Sequence, residues 1–179
     1  MCSQLNITVI VRPETSADYA AIGELTERAF RDRWYSSKTE HHIINALRRV
    51  GALSVSLVAE QNSKVVGHIA FSPAKSSDGS DGWFSLGPIS VEPELQGKGI
   101  GELLVRTGLQ IIQEQGAKGC ILVGDIGYYK RFGFINVPEL APEAEFASYF
   151  HILRFNESTR PEKIEFHPVF HDTALINGN

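Results

Sequence analysis

Three alternating glycines mark the part of this chain whose residue types could do chemistry. Gly97, Gly99 and Gly101, with Lys98 between the first two, stand where a β-rich run ends and an apolar helical pattern begins. Glycine reaches positive φ without strain, so such a loop can direct several backbone N–H groups toward one point at a helix N-terminus. Because the helix dipole adds about half a positive charge there, the segment predicts a phosphate or pyrophosphate site. A strand-to-helix turn that needs glycine only for its geometry is the alternative.

The spacing of these glycines fits neither of the two common nucleotide-binding loops. A Walker loop carries Ser or Thr after its lysine to bind magnesium, whereas Lys98 is followed by Gly99. The dinucleotide fingerprint is G-x-G-x-x-G after the first strand of its unit, whereas this chain has G-x-G-x-G after four predicted strands. A nucleotide-binding protein therefore ranks last among the function classes considered.

The strand before the loop offers a second binding surface. Its sequence FSLGPISV (84–91) carries Gly87-Pro88 in the middle, and proline cannot donate to a β-ladder, so a bulge or break is expected. A bulged strand separates from a parallel neighbour and leaves N–H and C=O groups unpaired over residues 89–91, where an extended ligand with amide groups could bind as an added strand does. A pyrophosphate at the helix and an amide-bearing arm along the strand together describe coenzyme A.

Hydrophobic periodicity predicts the elements that must position this site. The expected order is a strand, two helices, a hairpin, a strand, a helix, a buried strand, a short helix and two late strands, over residues 7–12, 17–30, 38–50, 56–74, 83–93, 100–116, 119–125, 128–134, 146–155 and 163–170. A strand, a crossover helix and a second strand form a right-handed parallel unit. We therefore expect an α/β protein with a mixed sheet.

Composition bounds the class of protein. The chain has 179 residues, is 42% hydrophobic and has a net charge of −4, which suits one domain over residues 1–179 with a core at about 7–170 and a loose C-terminal tail. The acidic balance disfavours a nucleic-acid partner. No apolar run approaches the roughly 20 residues of a membrane span, and no signal peptide is recognisable. Cys2 and Cys120 lack disulfide or metal-ligand spacing, so a reduced, cytoplasmic protein without metal is expected.

The glycine segment also resembles a known family motif. ISVEPELQGKGIGELLV is similar to the acyl-CoA-binding motif Q/R-x-x-G-x-G/A of the GNAT (Gcn5-related) N-acetyltransferase superfamily, with Gln96, Gly99 and Gly101 on its marked positions. The order of elements over about residues 7–155 matches as well. The chain further resembles a bacterial subgroup of predicted acetyltransferases, whose substrates are mostly unassigned.

A second motif lies downstream in the expected order. YYKRFGF is similar to the family's Y-x-x-x-G-F, carried by Tyr129, Gly133 and Phe134. The resemblance implies that Tyr129 is the general acid for the CoA thiolate; packing under the cofactor is the alternative. The side chain of Tyr128 is expected to point in a different direction from that of Tyr129, where it would either pack against the protein or line the substrate side.

The resemblance implies a fold and a set of binding residues. The expected fold is the GNAT fold, an α/β arrangement with a central mixed, mostly antiparallel sheet of about 6–7 strands and about four helices, splayed between strands four and five. The Val91 N–H would polarise the thioester carbonyl as a catalytic group. The residues expected to bind acetyl-CoA are Ile89, Ser90, Val91, Gln96, Gly97, Lys98, Gly99, Ile100 and Gly101.

The activity implied is transfer of an acetyl group from acetyl-CoA to a primary amine, by direct attack in a ternary complex. The acceptor could be a small amine or an amine of a protein or peptide, and the late strands could support a homodimer. A non-catalytic acyl-CoA-binding sensor that kept the fold and lost the chemistry is the alternative function.

The general base is not evident from the sequence. Family members often carry a glutamate in the fourth strand, where this chain has Trp83, Phe84 and Ser85. His68 and Glu60 could accept a proton through water, although a histidine satisfied inside the sheet is favoured for His68. No base is assigned.

Three further features carry weaker hypotheses. His41-His42 are expected to flank a solvated helix face, since adjacent helical residues do not share one face. His167 and His171 lack a third metal ligand, so no metal site is expected there. Trp34-Tyr35, between the two early helices, would lie either near the acceptor or at an ordinary edge of the core.

Overall fold

A computed structural model describes residues 8–157, 161–172, 174 and 176 of the chain. The strands are β1 Ile10–Pro13, β2 Val55–Gln61, β3 Lys64–Ser76, β4 Trp83–Val91, β5 Gly119–Val123, β6 Ile135–Asn136, β7 Phe150–Arg154 and β8 Ile164–Glu165. The α-helices are α1 Tyr19–Phe30, α2 Glu40–Arg49, α3 Ile100–Glu114 and α4 Ile126–Tyr129. Short 3-10 turns connect several of them.

One mixed sheet organises these elements in the order β1-β2-β3-β4-β5-β7-β6, with β8 paired to the end of β3. All neighbouring strands are antiparallel except β4 and β5, which are parallel and are connected by α3. The expected α/β fold with a mostly antiparallel sheet is confirmed. The sheet has eight strands in the described part of the chain, two of them only two residues long.

Helices cover both faces of the sheet because successive strand residues point to opposite sides. Leu57 packs with the buried stripe of α3, which includes Leu104, whereas Val58 packs with Ile22 of α1 and Ile44 of α2. Each fully buried aliphatic side chain of this kind contributes about 1.5–3 kcal/mol to folding. The sheet is therefore packed between two helical layers.

The predicted hairpin and bulge are both present. Asn62 and Ser63 take positive φ values of 51° and 61°, as expected for a two-residue turn between β2 and β3. In β4, Gly87 and Pro88 together lie opposite the single residue Ala70 of β3, because the register passes from Ile69–Ile89 to Phe71–Leu86. This extra residue is the bulge that the Gly-Pro pair predicted.

Five predicted strands differ from the structure in extent. Those predicted at 83–93 and 119–125 each end two residues earlier, at Val91 and Val123. The first strand of the chain runs over Ile10–Pro13 instead of residues 7–12, of which residue 7 lies outside the described part. The strand predicted at 146–155 is a strand only over Phe150–Arg154, since its first residues form a 3-10 turn whose carbonyls accept hydrogen bonds from the Asn136 side chain. The one predicted at 163–170 ends at Glu165, and a proline-initiated 3-10 turn follows.

None of the helices in the described residues has the length and apolar content that crossing a membrane requires. The predicted loose tail, residues 173–179, falls almost wholly outside the described part of the chain.

Candidate functional site

A cleft opens where β4 and β5 part. The two parallel strands pair at only three positions, from Trp83–Gly119 to Ser85–Ile121. Beyond Ser85, β4 continues to Val91 along β3, while β5 pairs only with β7 on its other side. The sheet is thus splayed between its fourth and fifth strands, as expected.

The register of β4 decides which amides face this cleft. The Glu92 N–H donates to the Val66 carbonyl of β3 at 2.9 Å, and Ser90 lies opposite His68. Because N–H groups alternate in direction along a strand, the Ile89 and Val91 N–H groups point away from β3, toward the cleft. These are the two amides that the sequence assigned to the pantetheine arm and the thioester carbonyl.

Ser90, between them, directs its own polar groups elsewhere. Its hydroxyl lies 3.0 Å from that of Thr26 in α1, and the Thr26 hydroxyl donates to the Ile22 carbonyl at 2.7 Å. Since Thr26 has a single O–H, Ser90 is the donor in this buried pair. Ser90 therefore anchors β4 to α1 and separates the two cleft-facing amides.

The glycine loop lies at the mouth of the cleft and leads into α3. Gly97 and Gly99 have φ values of 75° and 87°, and a Cβ added at either would meet no atom within 4 Å. Glycine is needed there for its backbone conformation and not for space. The first helical bond runs from the Leu103 N–H to the Gly99 carbonyl, so the N–H groups of residues 100–102 have no partner within the helix. Residues 96–99 are exposed, which leaves the loop open to an anion.

Gly101 is glycine for a different reason. A Cβ at this position would lie 2.9 Å from the hydroxyl of Tyr128. The half-buried Tyr128 ring also lies 4.5 Å from the Arg131 guanidinium. Tyr128 thus packs against the first turn of α3, in agreement with the packing alternative.

The Gln96 side chain stabilises the end of β4 through hydrogen bonds. Its side-chain Nε2 donates to the Val91 carbonyl at 3.1 Å, and its Oε1 accepts a hydrogen bond from Arg33 at 2.8 Å. The glutamine of the motif therefore connects β4 to the loop between α1 and α2. Lys98 is exposed on the loop, where it can add positive charge next to the amides.

Tyr129 lies at the end of β5, on the short helix α4. Asp125 begins this helix by accepting a hydrogen bond from the Gly127 N–H at 2.9 Å. The Tyr129 ring packs edge-on against Phe134, and a Cβ at Gly124 would come within 2.6 Å of it. Burial raises the pKa of the Tyr129 phenol, so the group is protonated at neutral pH and able to donate.

The α1–α2 loop presents two aromatic side chains. Trp34 is 84% exposed and Tyr35 62% exposed, with ring centroids 5.7 Å apart, so the alternative that they form an ordinary edge of the core is wrong. The Nζ of Lys38 stabilises this loop by donating to three carbonyls at and just beyond the end of α1, those of residues 30, 31 and 33, at 2.6–2.9 Å. A role for Trp34 and Tyr35 next to the acceptor stays a prediction.

The two candidate proton acceptors differ in their surroundings. Glu60 accepts hydrogen bonds from Arg12 at 2.8 and 3.0 Å, at the β1 edge of the sheet. His68 is fully buried inside the sheet, as favoured, with its Nε2 2.8 Å from the Ser56 hydroxyl. Its Nδ1 has no hydrogen-bond partner among the described residues.

The other histidine hypotheses are resolved by geometry. The rings of His41 and His42 are in contact, with centroids 3.9 Å apart. His42 is exposed and His41 is half-buried, which agrees with the expected solvated helix face. His167 accepts a hydrogen bond from the Val169 N–H at its Nδ1. Among the described residues, no three metal-ligating side chains come together.

Two parts of the site carried no sequence signal. The Arg33–Gln96 contact joins residues 63 positions apart, and the groups around His68 come from three separate parts of the chain. Only folding brings them together, since nothing in local spacing or periodicity relates them.

Comparison with known proteins gives a consistent result. Residues 19–134 match the profile described as the acetyltransferase (GNAT) family. The N-acetyltransferase YhbS of Escherichia coli K12 is 32% identical over 127 residues, which are 70% of this chain and 73% of that protein. Its crystal structure in complex with CoA has a TM-score of 0.84 at 27% identity, covering 93% of this chain and 94% of that one.

A second solved structure is more similar in sequence. A GNAT family acetyltransferase from Brucella melitensis, in complex with acetyl-CoA, is 42% identical, with a TM-score of 0.81 and coverage of 92% of this chain and 99% of that one. The profile, the relatives and the splayed sheet with its glycine loop all agree. The chain therefore belongs to the GNAT acetyltransferase family.

Proposed function

We propose that the protein transfers an acetyl group from acetyl-CoA to a primary amine by direct attack in a ternary complex. The observation that carries this proposal is the pair of cleft-facing amides in β4, those of Ile89 and Val91, beside an exposed glycine loop at the start of α3. These two surfaces match the two chemically distinct parts of coenzyme A, its amide-bearing arm and its pyrophosphate.

The polarity of the proposed binding residues supports acetyl-CoA as the ligand. The N–H groups of residues 97–101 and the Lys98 ammonium would hold the pyrophosphate, since they combine free donors, the positive end of a helix dipole and a full charge. The Ile89 N–H would pair with the pantetheine arm. The Val91 carbonyl is occupied by Gln96, so we expect the arm to accept hydrogen bonds from β4 near Val91 and not to donate there.

Two groups of the chain would act on the thioester. The Val91 N–H would donate to the thioester oxygen as negative charge develops on it, and a donor so placed contributes about 3–4 kcal/mol to the rate in measured cases. Tyr129 would give its phenolic proton to the departing sulfur, because its raised pKa keeps that proton in place at neutral pH. Acetyl-CoA and CoA bound to the similar Brucella and Escherichia proteins support the choice of acyl donor.

The experiment that tests the proposal is thermal unfolding with acetyl-CoA, CoA, ATP and NAD in parallel, followed by an amine screen that detects released thiol. A ligand at a hundred times its Kd stabilises the folded state by about 2.7 kcal/mol, which raises Tm by a few degrees. Stabilisation by acetyl-CoA and CoA alone, with thiol release in the presence of an amine, is expected. Binding without transfer to any amine would indicate a non-catalytic sensor, and stabilisation by ATP or NAD alone would contradict the proposal.

A further inference from the structure

Four polar side chains from separate parts of the sequence form a continuous chain of hydrogen bonds beside α2. The guanidinium of Arg48 donates to both carboxylate oxygens of Glu14, at 2.8 Å each. The Ser56 hydroxyl donates to Glu14 at 2.6 Å, and His68 Nε2 lies 2.8 Å from the same hydroxyl oxygen. We call these four residues the Glu14–His68 cluster.

The hydrogen bonds determine which nitrogen of His68 carries the proton. Ser56 has one O–H, and it points to the Glu14 carboxylate, which only accepts. The Ser56 oxygen must therefore accept from His68, so Nε2 bears the hydrogen. In the neutral imidazole, Nδ1 is then a bare acceptor.

This acceptor is buried and unpaired. His68 has 0% relative exposure, and its Nδ1 finds no hydrogen-bond partner among the described residues. Buried polar atoms are normally paired, and an exception of this kind calls for an explanation, such as a bound water or a catalytic role. Nδ1 of His68 is thus a basic atom whose orientation is determined by the groups on the other side of the ring.

The charges around the ring suit a group that accepts a proton and releases it again. Burial is the main cause that lowers the pKa of His68, and Arg48 lowers it further, so the ring is neutral at neutral pH. Glu14 opposes this by favouring the imidazolium. Burial raises the pKa of Glu14, but His68, Arg48 and Ser56 outweigh it and bring the value to about 2, so the carboxylate stays charged. Glu14 and Arg48 are the charged groups that act on His68.

The cluster lies one strand away from the reacting position proposed above. His68 of β3 is directly opposite Ser90 of β4, and Ser90 separates the cleft-facing amides of Ile89 and Val91. Side chains opposite each other on antiparallel strands have Cβ atoms about 5 Å apart on the same face. The hydroxyls of Ser90 and Thr26 place two oxygen atoms on that face, and a bridging water needs such polar partners.

We propose that His68 accepts, at Nδ1 and through one water molecule, the proton that the acceptor amine must lose before it attacks. The inference rests on the proposed acetyl transfer. Ser56, Glu14 and Arg48 are positioning residues, because they act on the amine only through the His68 ring.

The proton and electron balance is complete. The ammonium R–NH3+ gives one proton through the water to His68, which later releases it to solvent. The nitrogen lone pair then forms the C–N bond to the acetyl carbon, the C–S bond breaks, and its electron pair leaves on sulfur. Tyr129 protonates that sulfur, and the proton lost by the nitrogen as the amide forms returns to Tyr129. One amide, one thiol and one free proton result.

His151 provides a matched control within the same protein. It too is fully buried, and its Nε2 donates to the Gly124 carbonyl at 2.8 Å, which leaves Nδ1 without a partner among the described residues. It is hydrogen-bonded to a neutral carbonyl, whereas His68 is connected to a carboxylate. Replacing either ring by glutamine removes a buried imidazole, but only one of the two changes removes the proposed base.

The test compares two nucleophiles in wild type, His68→Gln and His151→Gln. The first nucleophile is the best alkylamine from the screen, which is protonated at neutral pH; the second is hydroxylamine, which is largely unprotonated and needs no base. We expect His68→Gln to lose at least about a hundredfold in kcat/KM for the alkylamine. We expect transfer to hydroxylamine, acetyl-CoA affinity by calorimetry, and both activities of His151→Gln to change less than about threefold.

A second variant covers the case in which His68→Gln does not fold. Ser56→Ala breaks the connection to Glu14, so the acid limb of the kcat/KM–pH profile for the alkylamine should move to lower pH, because the imidazolium loses its stabilising partner. An unchanged limb in Ser56→Ala, or equal losses for both nucleophiles in His68→Gln, would overturn the inference while leaving acetyl transfer intact. If wild type binds acetyl-CoA but transfers to neither nucleophile, the enzymatic proposal fails as well.

Discussion

The cofactor cleft and the Glu14–His68 cluster are two polar regions built in opposite ways. The cleft presents backbone N–H groups from one contiguous stretch, residues 89–101, whose conformation depends on a bulge and on two glycines with positive φ. The cluster presents side chains from positions 14, 48, 56 and 68, held by hydrogen bonds between them. A backbone site can be encoded by local spacing, whereas a side-chain cluster exists only after distant elements have packed.

The two regions should therefore fail in different ways. In the cleft, changing a side chain does not remove a backbone N–H donor, so loss of those donors requires a change in backbone conformation. In the cluster, each side chain satisfies the next, so removal of one charged partner leaves another buried without compensation. Changes in the glycine loop should impair ligand binding, and changes in the cluster should impair stability and proton transfer.

The largest effect on cofactor binding is expected from Gly99→Val, which places a β-branched residue at φ 87°. Strain of about 1–3 kcal/mol, or a loop that relaxes away from its binding conformation, should weaken acetyl-CoA binding by up to about a hundredfold in calorimetry. Gly23→Ala is the control, because a Cβ there meets nothing within 4 Å in the middle of α1. The control should bind normally and unfold at a slightly higher temperature. Normal affinity in Gly99→Val would show that the loop conformation does not matter.

Glu14→Gln should act on stability and not on acetyl-CoA affinity. Loss of the charge that Arg48 and Ser56 contact should cost about 2 kcal/mol in the free energy of unfolding by urea denaturation. The pKa of Glu14 is about 2 in the folded protein against an ordinary value of 4.5. Its contribution is therefore fully present above about pH 4.5 and is lost as pH falls toward 2. In Glu14→Gln, the free energy of unfolding should therefore fall less between pH 4.5 and 2 than in wild type. An equal fall in both proteins would contradict the proposed role of Glu14 in the cluster.

Tyr129→Phe should separate chemistry from binding within the cleft. We expect kcat to fall more than tenfold while acetyl-CoA affinity changes little, since the ring and its packing against Phe134 remain. Tyr128→Phe is the comparison, because it removes a neighbouring hydroxyl that contacts Gly101. A larger loss of kcat in Tyr128→Phe than in Tyr129→Phe would reassign the general acid.

The smallest effect is expected from Lys98→Ala. An exposed ammonium next to a pyrophosphate contributes about 1 kcal/mol or less, so affinity for acetyl-CoA should fall a few-fold at low salt and hardly at all at high salt. Lys75→Ala is the control, because it removes an exposed lysine near the C-terminal end of β3, away from the glycine loop. It should leave the affinity for acetyl-CoA unchanged at any ionic strength. Equal effects of the two changes would mean that only net charge matters.

Sequence patterns predicted the cleft well because its signals are local. The Gly87-Pro88 pair predicted the bulge that is observed, and the loop glycines have the positive φ that their spacing suggested. The late strands were predicted too long. For β7, the β-rich composition does not reveal that the Asn136 side chain donates hydrogen bonds to carbonyls of the preceding turn. The contact between the His41 and His42 rings was also missed, since a rule for helix faces does not describe how two flexible rings rotate.

The sequence by itself determined the family, the order of the elements and the position of the cofactor loop, because these depend on periodicity and on glycine spacing along the chain. Tertiary structure alone decided that Gln96 holds Val91 and Arg33, that Tyr128 contacts Gly101, and that a glutamate and a serine orient His68. The physical reason is one of range. Backbone conformation follows from neighbouring residues, whereas hydrogen bonds between side chains tens of residues apart depend on how helices and strands pack.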